Sequence, residues 1–165
     1  MSETKNDQQA KYDQGKPQLD YLLEIPDAVT YVLNACRRPE ELLVIAPHSA
    51  DDTRRLLLAS TAQGKPTGTL LVLAARYVLD SAPYNAPDAA LLTAIARVFE
   101  FGARKGYARG SWRTVPDARR RYAAALLRHA LEPAGSIDQE SGLPHAYACL
   151  WNTCVLLQLG NKEQK

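Results

Sequence analysis

A short polar segment near the end of the chain carries the residue types best suited to chemistry. Two carboxylates and an imidazole, Asp138, Glu140 and His145, lie within eight residues. Such a set can converge on a divalent ion or an activated water. Along the following helix, Cys149 and Asn152 share a face with His145, at offsets of four and seven. The alternative is that the acids only stabilise the helix amino terminus, while His145 and Asn152 bond to each other.

A third acid, Glu100, lies between Phe99 and Phe101 in an apolar stretch. A carboxylate at the edge of a buried helix face must be paired with a cation or coordinate a metal. An ordinary ion pair with Arg104, four residues further along the helix, explains Glu100 equally well. Both interpretations stay open at this point.

Positive charge is concentrated in one segment. Residues 97–128 contain nine basic and two acidic side chains, a net charge of +7, whereas the rest of the chain carries −5. Arg121 and Arg128 lie seven apart on one helix face, with His129 beside them. Arginines facing carboxylates that hold Mg²⁺ would suit a polyphosphate, and a solvated basic face is the simpler alternative. We favour the phosphate site because the acids occur in the same part of the sequence.

Other chemistries lack their motifs. The sequence has no GxxxxGK[ST] or GxGxxG phosphate loop and no GxSxG nucleophile motif. The three cysteines are too dispersed for a zinc site and too few for a disulfide framework. With no apolar run long enough for a bilayer span, the composition predicts a globular protein of the cytoplasm.

Helices must position these residues. Apolar side chains recur at offsets of three and four and no run alternates with period two, so we predict an all-α helical bundle. The 165 residues predict a single domain with a flexible tail over 1–10. Ser49, Asp117 and Ser141 are predicted helix caps. The run LLVLAARYVL would also suit a buried strand, but its length favours a helix. The predicted helices start at 26 and cover 50–62, 67 or 69 to 80, 88–105, 117–131 and 144–159.

In combination, several short motifs resemble the phage dATP/dGTP diphosphohydrolase-like proteins, relatives of the MazG-type all-α nucleotide pyrophosphohydrolases. The resemblance covers the first 25 residues or so and roughly residues 86–160, in the order found in that family. The motifs are KYDQGKP at 11–17, LD at 19–20, APDA at 86–89, VFEFGARK at 98–105, Trp112, RY at 121–122, LRH at 127–129, DQESGLPH at 138–145 and Asn152.

The resemblance implies a fold, a reaction and a set of site residues. It implies the all-α pyrophosphohydrolase fold with a mainly helical insertion over 26–85, a nucleotide- and metal-site core over 86–160, and a homo-oligomer. It also implies Mg²⁺-dependent hydrolysis (Mn²⁺ being an alternative) of a purine deoxynucleoside triphosphate to monophosphate and pyrophosphate, in phage nucleotide-pool control. The implied catalytic residues are Glu100, Asp138, Glu140 and His145, of which the three acids bind metal. The implied phosphate-site residues are Lys16, Lys105, Arg128 and His129, to which the helix-face arguments add Arg121 and Asn152.

Two departures from the family pattern keep another function open. Ala148 stands where family members often have a second histidine, and Ala103 leaves Glu100 without an ExxE partner. The alternative is a non-catalytic phage protein that sequesters a nucleotide. A nucleic-acid-binding module using residues 119–121 and Trp112 is less expected, because the acid cluster would repel a duplex backbone.

Overall fold

The computed structural model describes residues 15–37, 49–81 and 85–163. Within these ranges the chain is helical apart from loops and one isolated bridge between Ile137 and Pro144, which confirms the all-α prediction. The α-helices are α1 (Pro26–Arg37), α2 (Ala50–Ala62), α3 (Thr67–Ser81), α4 (Pro87–Arg104), α5 (Ala118–Leu131) and α6 (His145–Glu163), and two 3-10 helices cover Leu19–Glu24 and Ser111–Thr114.

Helix α6 lies at the centre of the bundle. It packs against α1, α3, α4 and α5. Four consecutive residues, 152–155, are buried, as expected of a helix surrounded by other helices. Near its carboxyl end, the buried Gln158 accepts a hydrogen bond from the backbone N–H of Asp27 (2.9 Å) and donates one to the Asp27 carboxylate (3.0 Å). These bonds fix the amino end of α1 to α6.

Helices α2 and α3 pack together beside α5 and α6. Helix α2 begins as predicted, because Ser49 Oγ accepts a hydrogen bond from the backbone N–H of Asp52 (3.1 Å). Arg54 Nη1 donates to the Ala130 carbonyl oxygen at the end of α5 (2.8 Å). Helix α3 contains the LLVLAARYVL run, so the choice of helix over strand is confirmed.

Two predicted caps are wrong in their side-chain detail. Asp117 is at the N-cap position of α5, but its carboxylate makes no capping hydrogen bond and pairs with Arg120 instead. Ser141 does not cap α6, which begins at His145. The Ser141 hydroxyl donates to Asp138 (3.0 Å) and accepts from the backbone N–H of Leu143 (3.1 Å), so it stabilises the loop before the helix.

Residues 15–24 form a strap that lies against α4. The backbone N–H of Gln18 donates to Glu100 Oε1 (2.7 Å), and the buried Tyr21 ring stacks on Phe99 with 5.2 Å between centroids. The strap also contacts α1. It therefore joins two helices and covers part of the face of α4 that carries the VFEFGARK motif.

The structure tests only part of the predicted division of the chain into a tail, an insertion and a core. The tail over 1–10 lies outside the described residues. Helices α1 to α3 come from the predicted insertion over 26–85, and their apolar side chains join the same hydrophobic core as those of α4 to α6. The insertion therefore stays a prediction. None of the described helices is both long and apolar enough to cross a membrane.

Candidate functional site

A cavity of about 570 Å³ lies between α5 and α6, next to the end of α4 and the loops that precede α5 and α6. We call it the main cavity. Its walls follow helical spacing: Arg121, Ala125 and Arg128 line it from α5, and Ala148 and Asn152 line it from α6. Five of the predicted site residues line it, namely Arg121, Arg128, His129, Asp138 and Asn152.

Aromatic side chains form one part of the wall. They are Phe101, Tyr107, Trp112, Tyr122 and Trp151. The hydroxyl of Tyr122 donates to the Trp112 carbonyl oxygen (3.0 Å), and the rings of Tyr122 and Trp151 meet edge to face at 5.6 Å. Trp151 Nε1 is buried and has no hydrogen-bond partner among the described residues. Flat apolar surfaces of this kind suit a planar ring.

Two arginines supply positive charge to the main cavity. Arg121 and Arg128 are exposed on α5, and neither pairs with an acidic side chain in the part of the chain that the structure describes. A guanidinium presents several N–H donors in a plane, which matches the oxygens of a phosphate. The wall that carries them is therefore the part of the cavity suited to an anion.

Asp138 is the one acidic side chain among the described residues lining the main cavity. Its Oδ1 accepts from the backbone N–H of Glu140 (3.2 Å) and its Oδ2 from the Ser141 hydroxyl (3.0 Å). Burial by itself would raise the pKa of Asp138, but these hydrogen bonds and the nearby imidazoles outweigh burial and lower the pKa. The carboxylate is therefore ionised at neutral pH and fixed in orientation.

Two histidines meet beside this carboxylate. His129 Nδ1 and His145 Nδ1 are 2.8 Å apart, so one nitrogen carries the hydrogen and the other accepts it. Only His129 lines the main cavity. Burial lowers the pKa of His129, as do the charges of His145 and Arg128, against the opposite effect of Asp138 and Glu132. His129 is therefore a neutral imidazole at neutral pH.

Asn152 completes this side of the cavity. Its side chain is buried, and Nδ2 donates to the Ala148 carbonyl oxygen one turn earlier (2.7 Å). The amide oxygen has no hydrogen-bond partner among the described residues, and Asn152 is one of the residues that line the cavity. The bond between His145 and Asn152 that the sequence left open is not formed, because His145 pairs with His129.

Glu100 does not line the main cavity. Its Oε2 pairs with Arg97 Nη1, three residues before it (3.1 Å), and its Oε1 accepts from the backbone N–H of Gln18 (2.7 Å). Arg97 also donates to the Gly15 carbonyl oxygen (3.0 Å). The cation beside Glu100 is therefore Arg97 rather than Arg104, and the carboxylate holds the strap.

Lys16, Lys105 and Glu140 also lie outside the main cavity. Lys105 and Glu140 pair with each other, and the hydrogen bond from Lys105 to Glu140 raises the pKa of the lysine. Lys16 is exposed at the start of the strap. The predicted phosphate and metal residues are thus divided between the main cavity and its surroundings.

The structure does not bring Glu100, Asp138 and Glu140 together. The described residues contain no group of three or more His, Cys, Asp or Glu side chains that could hold a metal ion. The physical reason is that Glu100 and Glu140 each have a basic partner elsewhere, Arg97 and Lys105. Asp138 is left as the carboxylate that a ligand in the main cavity would meet.

Comparison with protein families gives one match. Residues 62–165 match the family described as dATP/dGTP diphosphohydrolase, N-terminal. The matched segment is more than half of the chain and contains every residue that lines the main cavity. The chain belongs to this family. Neither the curated proteins nor the solved structures compared with it include a match.

Membership of the dATP/dGTP diphosphohydrolase family confirms the resemblance drawn from the motifs. The family name describes the hydrolysis of purine deoxynucleoside triphosphates, which supports nucleotide hydrolysis in general terms for this chain. The match begins at residue 62, so it includes α3, and it does not include the strap.

Sequence reasoning missed most of the aromatic wall of this family member. Phe101, Tyr107, Tyr122 and Trp151 were not predicted as site residues, although all four line the main cavity. A usable signal was present for two of them. Tyr122 follows Arg121 and Trp151 precedes Asn152, and helical neighbours differ by only about 100° in direction. A wide cavity wall therefore includes both members of each pair.

Proposed function

We propose that this chain hydrolyses a purine deoxynucleoside triphosphate to the monophosphate and pyrophosphate, in a reaction that requires Mg²⁺. The observation that carries the proposal is the composition of the main cavity. It combines aromatic walls, two arginines without acidic partners among the described residues and one ionised carboxylate, all within the family-matched segment.

The arginines bind the phosphates. Arg121 and Arg128 lie two turns apart on one helix face and donate to phosphate oxygens. Their charge also stabilises the pyrophosphate as it leaves, because negative charge develops on that group. The aromatic side chains pack against the base, an interaction worth roughly 1–3 kcal/mol per base in nucleic-acid complexes.

Asp138 fits a magnesium ion that is shared with the substrate. Mg²⁺ is usually bound by one or two carboxylates together with substrate phosphates, rather than by a cage of protein ligands. Each Asp138 oxygen accepts one hydrogen bond and keeps a second lone pair. Asp138 would hold the ion, with the amide oxygen of Asn152 as a second ligand, and Mn²⁺ would suit the same oxygens. Such an ion neutralises phosphate charge and lowers the pKa of bound water.

His129 accepts the proton of the attacking water. The water oxygen forms a bond to the α-phosphorus, the bond from that phosphorus to the bridging oxygen breaks, and pyrophosphate leaves with the electron pair. When His129 Nδ1 donates to His145 Nδ1, the Nε2 atom of His129 is unprotonated and takes the proton. His145 then acts as a positioning residue, not as the catalytic residue that the family resemblance implied.

Pyrophosphate release from the four common deoxynucleoside triphosphates tests this proposal. Each substrate is incubated with the full chain in Mg²⁺ and, separately, in EDTA. We expect release from dATP or dGTP, much less from the pyrimidines, and none in EDTA. Absence of pyrophosphate from all four substrates in Mg²⁺ and in Mn²⁺ would contradict hydrolysis.

Binding without cleavage is the second function that an observation favours. The described residues contain no three-ligand metal group, and Ala148 lines the cavity where family members often have histidine. A sequestering protein would bind a purine nucleotide tightly in EDTA and release it intact on denaturation. Conversion of the bound triphosphate to monophosphate in Mg²⁺ would argue against that function.

The cellular setting follows from the family resemblance. We propose that the protein controls a purine nucleotide pool in the cytoplasm of a phage-infected cell, as a homo-oligomer. Light scattering coupled to gel filtration measures the oligomer directly. Nucleotide pools in cells that express the wild type or the Asp138→Asn variant test the role, since only the wild type should deplete the substrate.

A further inference from the structure

A second cavity of about 180 Å³ adjoins the main cavity. We call it the side cavity. The two cavities share six lining residues, four of them aromatic: Val98, Phe101, Tyr107, Ser111, Trp112 and Trp151. Arg121, Arg128, His129 and Asp138 line only the main cavity. The side cavity therefore adjoins the aromatic wall of the main cavity and not the wall that carries the arginines.

Glu24, at the end of the strap, lines the side cavity and is held in one orientation. Its Oε2 accepts from Trp112 Nε1 (3.0 Å) and from the backbone N–H of Gly110 (3.3 Å). Its other oxygen, Oε1, has no hydrogen-bond partner among the described residues. This oxygen is not fully buried, so solvent reaches it. Arg113 bonds to the backbone oxygen of Glu24 (2.7 Å) and leaves the carboxylate without a basic partner.

The charges around the side cavity do not favour a phosphate. Its two basic residues, Lys105 and Arg109, are each paired with a carboxylate, Glu140 and Asp20 respectively. Glu24 therefore adds a carboxylate that nothing on the cavity wall neutralises. Such a group repels phosphate and accepts hydrogen bonds from N–H donors.

We propose that the side cavity takes the base of the nucleotide and that Glu24 Oε1 accepts a hydrogen bond from an amino group of a purine. This inference rests on the proposed function and deepens it, since it names the part of the substrate that is recognised. The 6-amino group of adenine and the 2-amino group of guanine share the required chemistry. A site that hydrogen-bonds an N–H group of its ligand discriminates against an analogue that lacks this group, because the acceptor is then left unpaired in the occupied cavity.

The Glu24→Gln variant isolates this hydrogen bond. The amide oxygen can still accept from Trp112 and Gly110, so the strap keeps its attachment, while the amide nitrogen replaces Oε1 and donates instead of accepting. Asp117→Asn is the control, because it removes an exposed carboxylate that pairs with Arg120, and neither of these residues lines the main or the side cavity.

Calorimetric titration with non-hydrolysable α,β-methylene triphosphates tests the inference. The ligands carry adenine, guanine, hypoxanthine (guanine without its 2-amino group) and unsubstituted purine. For the wild type and Asp117→Asn we expect adenine to bind about tenfold or more tightly than purine, or guanine than hypoxanthine. The pair that shows the preference identifies the amino group. In Glu24→Gln we expect the ratio of the two affinities in that pair to fall to nearly one.

The outcomes separate this inference from the proposed function. Tight binding by the wild type without either preference overturns the role of Glu24, whatever the variant does and whether or not it folds. A preference that survives in Glu24→Gln overturns it as well. If none of the triphosphates binds the wild type, the proposed function itself fails.

Discussion

Two groups of polar and charged side chains were predicted as one site, and they have different surroundings. The inner group, Arg121, Arg128, His129, Asp138 and Asn152, lines the main cavity. The outer group, Lys16, Glu100, Lys105 and Glu140, does not. Three of the outer residues are held by ion pairs with neighbouring side chains. The inner arginines have no acidic partner among the described residues.

The difference shows that neither the type of a residue nor the number of charged residues near it in the sequence distinguishes a ligand-binding side chain from a structural one. Glu100 and Asp138 are both partly buried acids in family motifs. The Glu100 carboxylate pairs with Arg97 one turn away and accepts a hydrogen bond from the strap. The Asp138 carboxylate accepts hydrogen bonds from its own loop, and these leave its charge unneutralised. Charge that remains uncompensated in a concave surface is what an ionic substrate can use.

The largest difference between the groups is expected from Asp138→Asn. Removing the carboxylate that is proposed to hold the metal should lower kcat by about 100-fold or more, while the loop keeps its shape. Asp117→Asn is the control, because its exposed carboxylate pairs with Arg120 outside the main cavity. Steady-state pyrophosphate release measures both variants. Equal activity in the two would contradict the role of Asp138.

Glu100→Gln should affect stability and not chemistry. The variant keeps an acceptor for the Gln18 N–H but loses the ion pair with Arg97 in a largely buried position. We expect the free energy of unfolding to fall by about 1–2 kcal/mol, and kcat to stay within about threefold of the wild type. Urea denaturation and the same kinetic assay measure the two quantities. A large loss of kcat in a folded variant would return Glu100 to the metal site.

The lowered pKa of His129, a member of the inner group, predicts that the stability of the protein depends on pH. Burial lowers the pKa of His129 below its ordinary value of 6.5, so the unfolded chain binds more protons than the folded chain just below that pH. The contribution of neutral His129 to the free energy of unfolding is therefore fully present above about pH 6.5, and it is lost as the pH decreases toward the lowered pKa. Thermal melting from about pH 8 to about pH 5 should show this loss in the wild type and less of it in His129→Gln. Identical slopes in the two proteins would contradict the assignment.

The smallest effect is expected from Glu140→Gln in the outer group. Its ion pair with Lys105 is exposed, and exposed pairs contribute roughly 0–1 kcal/mol, less in high salt. The melting temperature should change little, and the residual change should vanish as salt is added. Pyrophosphate release should be unaffected. A strong loss of activity would place Glu140 with the inner group.

The sequence predicted the fold well because helix signals are local. Offsets of three and four, together with the Ser49 cap, located the helices that the structure contains. The same spacing placed Arg121, Arg128 and His129 on one face, and loop composition identified Asp138. These features depend on residues a few positions apart.

The remaining features depend on residues that are distant in sequence. Glu100 is bonded to Gln18, and Glu24 to Trp112, across more than 80 residues of chain. His129 and His145 meet only because α5 and α6 pack against each other. Periodicity carries no information on such pairs, so the division between inner and outer groups could not be predicted.

Arg121 and Arg128 are the residues through which the main cavity is proposed to bind the triphosphate. Calorimetric titration with a non-hydrolysable purine deoxynucleoside triphosphate tests this role directly in two double variants, Arg121→Gln with Arg128→Gln and Arg104→Gln with Arg120→Gln. Both remove two positive charges from the same basic segment, but Arg104 and Arg120 do not line the main or the side cavity. We expect affinity to fall by about 100-fold in the first variant and by no more than about threefold in the second. Equal losses, or a larger loss in the second variant, would contradict the assignment of phosphate binding to Arg121 and Arg128.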